Sequence, residues 1–110
     1  MASSLTKTQL EGLRRRLEQE RARILAVLRD LPPSSAQPDQ ETELEEAAQR
    51  ETERSHDDEV AARERALLAE VDRALVKIDR GEYGLSERSG APIPYERLAA
   101  VPWARDAIEE

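Results

Sequence analysis

Almost forty consecutive residues, from Thr42 to Arg80, pass without a glycine or a proline. Ala, Leu, Glu and Arg dominate the run, and all four are strong helix formers. A single helix over it is roughly 57 Å long at 1.5 Å rise per residue. Thr42 and Glu45 form a T-x-x-E capping box at its start. Gly81 follows the last periodic apolar residues, Leu75 and Ile78, and marks its end. The two halves differ. The N-terminal half is acidic and nearly free of large aliphatics, and the C-terminal half carries an apolar seam. A helix of this kind connects an acidic tip to a compact base.

The segment before it supplies a partner. Thr6 and Gln9 form a second capping box, and Leu5 is placed to staple onto Leu10. From there Leu10, Leu13, Leu17, Glu20, Ile24, Val27 and Leu31 recur three and four residues apart, a coiled-coil seam with one polar break at Glu20. Pro32 and Pro33 end this helix, and the loop to about residue 41 favours an antiparallel return. The matching seam on the long helix is Val60, Leu67, Val71, Ala74 and Ile78, flanked by Leu68 and Leu75. Two registers are open. Pairing Leu31 with the residues just after Thr42 sets Ile24 and Val27 against Glu51 and Glu53. Pairing Leu10 with Ile78 matches the apolar seams better, and the loop is long enough for both, reaching about 30 Å when extended.

Composition limits the rest. With 37% charged residues, 3% aromatics and no Phe, the chain lacks the material for a large globular core and fits a hairpin in which each helix buries one stripe. The absence of Cys excludes disulfides and thiolate metal sites. The net charge of −7 is concentrated: residues 1–38 carry +3, residues 39–59 carry −8 and residues 60–110 carry −2. No basic footprint for duplex DNA exists beyond the first helix. The acidic block reads either as a solvated helix face or as a probe for a basic or metal-containing cavity. No apolar run approaches a membrane span, and nothing resembles a signal peptide, so a cytoplasmic location is expected. No nucleophile–base pair, phosphate loop or metal cluster points to an enzyme.

After the Gly81–Gly84 turn the chain is loop-rich, with a short helix expected over Tyr95–Ala100 between Pro94 and Pro102. The apolar residues Leu85, Ile93, Leu98, Val101, Trp103 and Ile108 are the material for a small core against the helix base, with Trp103 as its largest anchor near Leu75 and Ile78. Within Ala74–Glu110, the residues Leu75, Ile78, Gly81, Tyr83, Gly84, Gly90, Ile93, Arg97, Leu98, Ala100 and Pro102 fall in register with the motif of the DksA/TraR family of bacterial regulators, which this segment resembles. The resemblance covers the helical hairpin in architecture and residues 74–103 in specific motif. It implies an all-α fold: residues 1–5 as a disordered N-terminus, an antiparallel helical hairpin over 6–80 (helices about 6–31 and 42–80, loop 32–41), and a finger-like module over 81–110.

At the metal the departure is complete. The four positions that hold zinc ligands in the family are Ser86, Ser89, Ala107 and Glu110 here, and they cannot supply the thiolates of such a site. The expectation is a degenerate finger that binds no zinc and has no other cofactor. At the tip, the family's D-x-x-D-x-A motif falls on Glu43 to Ala48. The resemblance implies that Glu43 and Glu46 are the functional acids and that Ala48 packs on the partner. It further implies that the partner is RNA polymerase, entered through its secondary channel, with no direct DNA contact and with the chain acting as a monomer. Family members that bind the alarmone ppGpp use basic groups on the second helix; Glu70 stands at one such Lys position and Arg63 keeps another, which leaves alarmone dependence open. The alternative is a non-catalytic hairpin adaptor for a different protein, since a shared fold does not carry function by itself.

Overall fold

The computed structural model describes residues 4–32 and 44–107, with side chains over 4–32 and 52–107. Two long helices, α1 (Lys7–Asp30) and α2 (Leu44–Arg80), pack along one another, and a short α3 (Tyr95–Ala100) lies in the C-terminal module. The radius of gyration is 19.2 Å and the longest dimension 62 Å. A compact domain of this length would have a radius of about 13 Å, so the molecule is a rod with a thickened end.

Local chemistry sets the helix ends. Thr6 Oγ1 accepts from the Gln9 amide at 3.1 Å, and Gln9 Oε1 accepts from the Thr6 amide at 3.0 Å, closing the capping box. Leu5, which the sequence division sets aside with the frayed N-terminus, packs against the core. α1 stops at Leu31, whose backbone is extended at φ −75°, ψ 142°; the ring of Pro32 disfavours helical geometry in the residue before it. α2 ends in a Schellman turn. The Glu82 amide donates to the Lys77 carbonyl at 2.8 Å and the Gly81 amide to that of Ile78 at 3.1 Å. Gly81 takes φ +73°, the left-handed conformation this turn requires. The Thr42–Glu45 capping box lies outside the described residues.

The seam is built from Leu13, Leu17 and Ile24 of α1 and Ala61, Val71 and Ala74 of α2, all buried. Leu10, Leu28, Leu67, Leu68, Leu75 and Ile78 pack around them. Each fully buried aliphatic contributes about 1.5–3 kcal/mol. The polar break at Glu20 is met by a bridge: Arg23 donates to Glu20 at 2.9 Å and to Glu64 of α2 at 3.0 Å.

Two further ion pairs cross the helices and fix their register. Arg14 meets Asp79 at 2.5 Å, and Arg21 meets Asp72 at 2.7 Å. Each step forward on α1 is thus a step back on α2, which makes the pair antiparallel. The pairing lies about a turn and a half from the Leu10–Ile78 alignment and excludes the alternative of Leu31 beside Thr42. Continued at the same spacing, the end of α1 reaches the turn of α2 that holds Ala61 and Arg63. The preceding turns of α2 extend past it.

The module folds back on the opposite end of the hairpin. Tyr83, Ile93 and Leu98 are buried and join the seam in one continuous core. Leu85 and Pro92 form a single antiparallel bridge, closed by the Ile93 amide on the Gly84 carbonyl at 2.7 Å. Trp103, expected as the main anchor, is only partly buried. It lines a hollow of about 330 Å³ with Arg16, Gln19, Glu20 and Arg23 of α1. The deep aromatic position belongs to Tyr83, whose hydroxyl donates to the Pro102 carbonyl at 2.7 Å. Tyr83 follows the Gly81 stop so closely that the turn delivers its ring into the core, whereas Trp103 arrives after α3 and covers the rim. Leu85 and Val101 are likewise only partly buried, and Ile108 lies outside the described residues.

Candidate functional site

The expected tip residues Glu46 and Ala48 fall on the first turns of α2, with their side chains outside the described set. Glu43 lies outside the described residues altogether. From Thr52 to Glu59 no described side chain is buried. This part of α2 therefore presents Glu53, Asp58 and Glu59 to solvent, with Asp57 partly covered.

The former ligand positions are occupied by a hydrogen-bonded turn. Ser86 is 5% exposed, a buried polar residue. Its Oγ accepts from the amides of Arg88 at 3.1 Å and Ser89 at 3.3 Å, and donates to Asp106 Oδ1 at 3.2 Å. Asp106 Oδ1 also accepts from the Arg88 amide at 3.2 Å. The Gly90 amide closes the turn on the Ser86 carbonyl at 2.9 Å, with Gly90 at φ +76°. Ser89 Oγ accepts from the Ala91 amide at 3.3 Å, and Ala107 offers no side-chain donor atom. Glu110 lies outside the described residues. These residues do not fit a zinc ion, for which Cys, His and carboxylate side chains are the usual ligands. Among the described residues, no group of three or more His, Cys, Asp or Glu side chains is placed to hold a metal.

An ion network joins this turn to α2. Glu87 accepts from Lys77 at 2.7 Å and from Arg73 at 2.6 and 2.7 Å. Arg105 grips Glu70 with two nitrogens, Nε at 2.7 Å, and lies 3.9 Å from Glu87. Lys77 first, and then Arg73, hold the Glu87 carboxyl below the usual range. On the other side Arg16 of α1 donates to the Ala99 carbonyl at the end of α3. Burial pushes the Tyr83 phenol up, so it remains a donor to Pro102.

Asp106 and the Glu70–Arg105 pair have no counterpart in the periodic pattern of the sequence. Glu70 reads there as a charge reversal at a Lys position; in the fold its carboxylate secures the module. The nearest sequence signal is that Arg105 and Asp106 directly precede the former ligand position Ala107. Among the described residues no helix is long and apolar enough to cross a membrane.

No protein-family model matches the chain. Individual proteins do. The RNA polymerase-binding transcription factor DksA of Caulobacter vibrioides is 33% identical over 103 residues, covering 86% of this chain and 72% of that protein. The structure of transcription factor DksA2 from Pseudomonas aeruginosa superposes with a TM-score of 0.69 at 31% identity, covering 94% of this chain and 80% of the other. General stress protein 16O of Bacillus subtilis is 52% identical over 58 residues, and there the chain spans only 36% of the relative's length. The hairpin, the module folded on its base and the identity along both establish that the chain belongs, as a cysteine-free member, to the DksA family of RNA polymerase-binding transcription factors.

Proposed function

We propose that the chain regulates transcription by binding RNA polymerase through the secondary channel, with the acidic end of α2 reaching toward the active site. Family membership carries this reading. It is supported by the way the cross-helix register leaves the first turns of α2 extending past α1, within a segment of net charge −8. In this reading the molecule has two parts: a shaft and base that supply most of the affinity, and a tip that supplies the effect. Glu43 and Glu46 act near the catalytic Mg²⁺ of the polymerase, and Ala48 packs against the channel wall. The chain is a regulator and not an enzyme; it acts as a monomer on the polymerase and makes no direct contact with promoter DNA.

The test separates binding from effect. Glu43→Gln/Glu46→Gln keeps shape and hydrogen-bonding capacity but removes both charges. The expected outcome is binding to purified core polymerase within several-fold of the native chain, with loss of the effect on transcription in a purified system. Ala48→Asp, which adds bulk and charge at the contact, weakens binding itself. Full regulation by the glutamine variant would reject the tip assignment, and failure of the native chain to bind core polymerase would reject the whole reading.

A further inference from the structure

The family's finger position raises a physical question: what holds the two halves of a small module together when the ligand positions carry no metal-binding set? In a metal finger the ion ties the first turn to the C-terminal segment. Here the first turn is Ser86–Ser89 and the C-terminal segment begins at Arg105. Among the described residues, three hydrogen bonds join them in the same place. Ser86 Oγ donates to Asp106 Oδ1 at 3.2 Å, the Arg88 amide donates to the same oxygen at 3.2 Å, and the Glu87 amide donates to the Arg105 carbonyl at 2.9 Å. Ser86 stands at the first former ligand position and, among the described residues, is the one polar residue that is buried.

We propose that Ser86 and Asp106 form a metal-free cross-link that takes the place of the ion, gathering the Arg88 and Ser89 amides on one side and the C-terminal segment on the other. The chemistry is consistent. A thiolate at this position would accept from backbone amides and pass its charge to a cation. A serine hydroxyl accepts from the same amides but has a proton to dispose of, and the Asp106 carboxylate takes it in a charge-assisted hydrogen bond. Asp106 thus supplies a charged acceptor for the Ser86 hydroxyl at a buried site, where polar groups need hydrogen-bond partners. Glu70, Arg73 and Lys77 then tie both sides of the cross-link to α2 through Arg105 and Glu87.

The consequence concerns the conditions under which the protein keeps its fold. Thiolate fingers lose their ion to chelators and their ligands to oxidants. This chain has no Cys, and its single Met is Met1. Its module is thus indifferent both to zinc supply and to thiol oxidation. The inference rests on the contacts within the module and does not depend on the polymerase reading.

The experiment is thermal unfolding of the full chain, with amide hydrogen exchange read at Arg88 and Ser89. The native chain should contain no stoichiometric zinc and should melt identically with and without a chelator or hydrogen peroxide. Ser86→Ala and Asp106→Ala should each lower Tm by about 5–10 °C and speed exchange at Arg88. Exchange at Ser89 should rise most in Ser86→Ala, which removes its acceptor. The double variant should lose less than the sum, because each substitution removes the same contact. Asp106→Asn keeps an acceptor oxygen and should recover most of the loss. One bound zinc per chain, a chelator-dependent Tm, or an Asp106→Ala variant that melts and exchanges as the native chain does would each overturn the proposal. Should Ser86→Ala fail to fold, the Asp106→Ala and Asp106→Asn pair decides alone.

Discussion

In its C-terminal half, α2 buries Val71 and Ala74 against α1 and the module, and its charged residues Glu70, Arg73 and Lys77 all hold partners in the module. In its N-terminal half, the side chains from Thr52 to Glu59 are exposed or only partly covered. One uninterrupted helix thus passes from a region where one face is buried and several charged residues are paired with the module to one where, among the described side chains, none is buried. The difference shows how a long helix serves two purposes. Its backbone continues unbroken from the base, so its far end carries charge that the packing does not require. Helices this long and this polar gain little from propensity alone, so packing at the base stabilises the helix as a whole.

Substitutions at the two ends should therefore differ in kind, and the largest effects belong to the base. Leu17 is fully buried where α1 meets α2 and the module. Leu17→Ala should cost about 2–5 kcal/mol in denaturant unfolding, and a loss below about 1 kcal/mol would show that the base is not one cooperative core. Next comes Tyr83→Phe. It keeps the ring but leaves the buried Pro102 carbonyl without its donor, at a cost of about 1–3 kcal/mol. Equal stability of the two proteins would assign Tyr83 to packing alone.

A smaller effect is set by pH. The folded state holds the Glu87 carboxyl below its ordinary value of 4.5, mainly through Lys77. Its contribution is present in full above that value and is lost as pH falls through the lower, folded one. Tm should therefore drop as pH falls below the ordinary value of 4.5, and Glu87→Gln should flatten part of that drop. An acid profile unchanged by this variant would remove the network from the account of the base. The smallest effect is at the far end. Asp58→Ala should change stability by no more than about 0.5 kcal/mol. A larger loss would mean that the acidic half of α2 also serves the fold, and the contrast between the two ends would fail.

The hairpin was legible in the sequence because its determinants are local or periodic. Thr6 and Gln9 sit three residues apart, Gly81 follows the last apolar turn, and the seam repeats every three or four residues. The interior of the base was legible only in part. Ile93 and Leu98 announce themselves by hydrophobicity, but Tyr83 and Trp103 differ in depth for a reason that lies in the path of the chain. The Ser86–Asp106 contact joins residues 20 apart, and the Glu70–Arg105 pair residues 35 apart, with no spacing rule to connect them. Such contacts exist only once the turns have brought the segments together. Family motif matching pointed to Ser86 as a place where something had been lost, and had no means of pointing to Asp106.

The Arg14–Asp79 and Arg21–Asp72 pairs are each worth little in stability as exposed contacts. They are seven residues apart on both helices, and this gives them a use as a ruler. If α2 slipped by one heptad so as to draw the tip inward, Arg14 would meet Asp72, but Arg21 would come opposite Arg65, like against like. Slipped the other way, Arg21 would meet Asp79, and Arg14 would face Ser86, past the end of α2. Either slip changes the reach of α2 beyond α1 by about 10 Å, seven residues at 1.5 Å each. The reach of α2 beyond α1 is thus written in the order of two arginines and two aspartates, since only the observed setting satisfies both pairs.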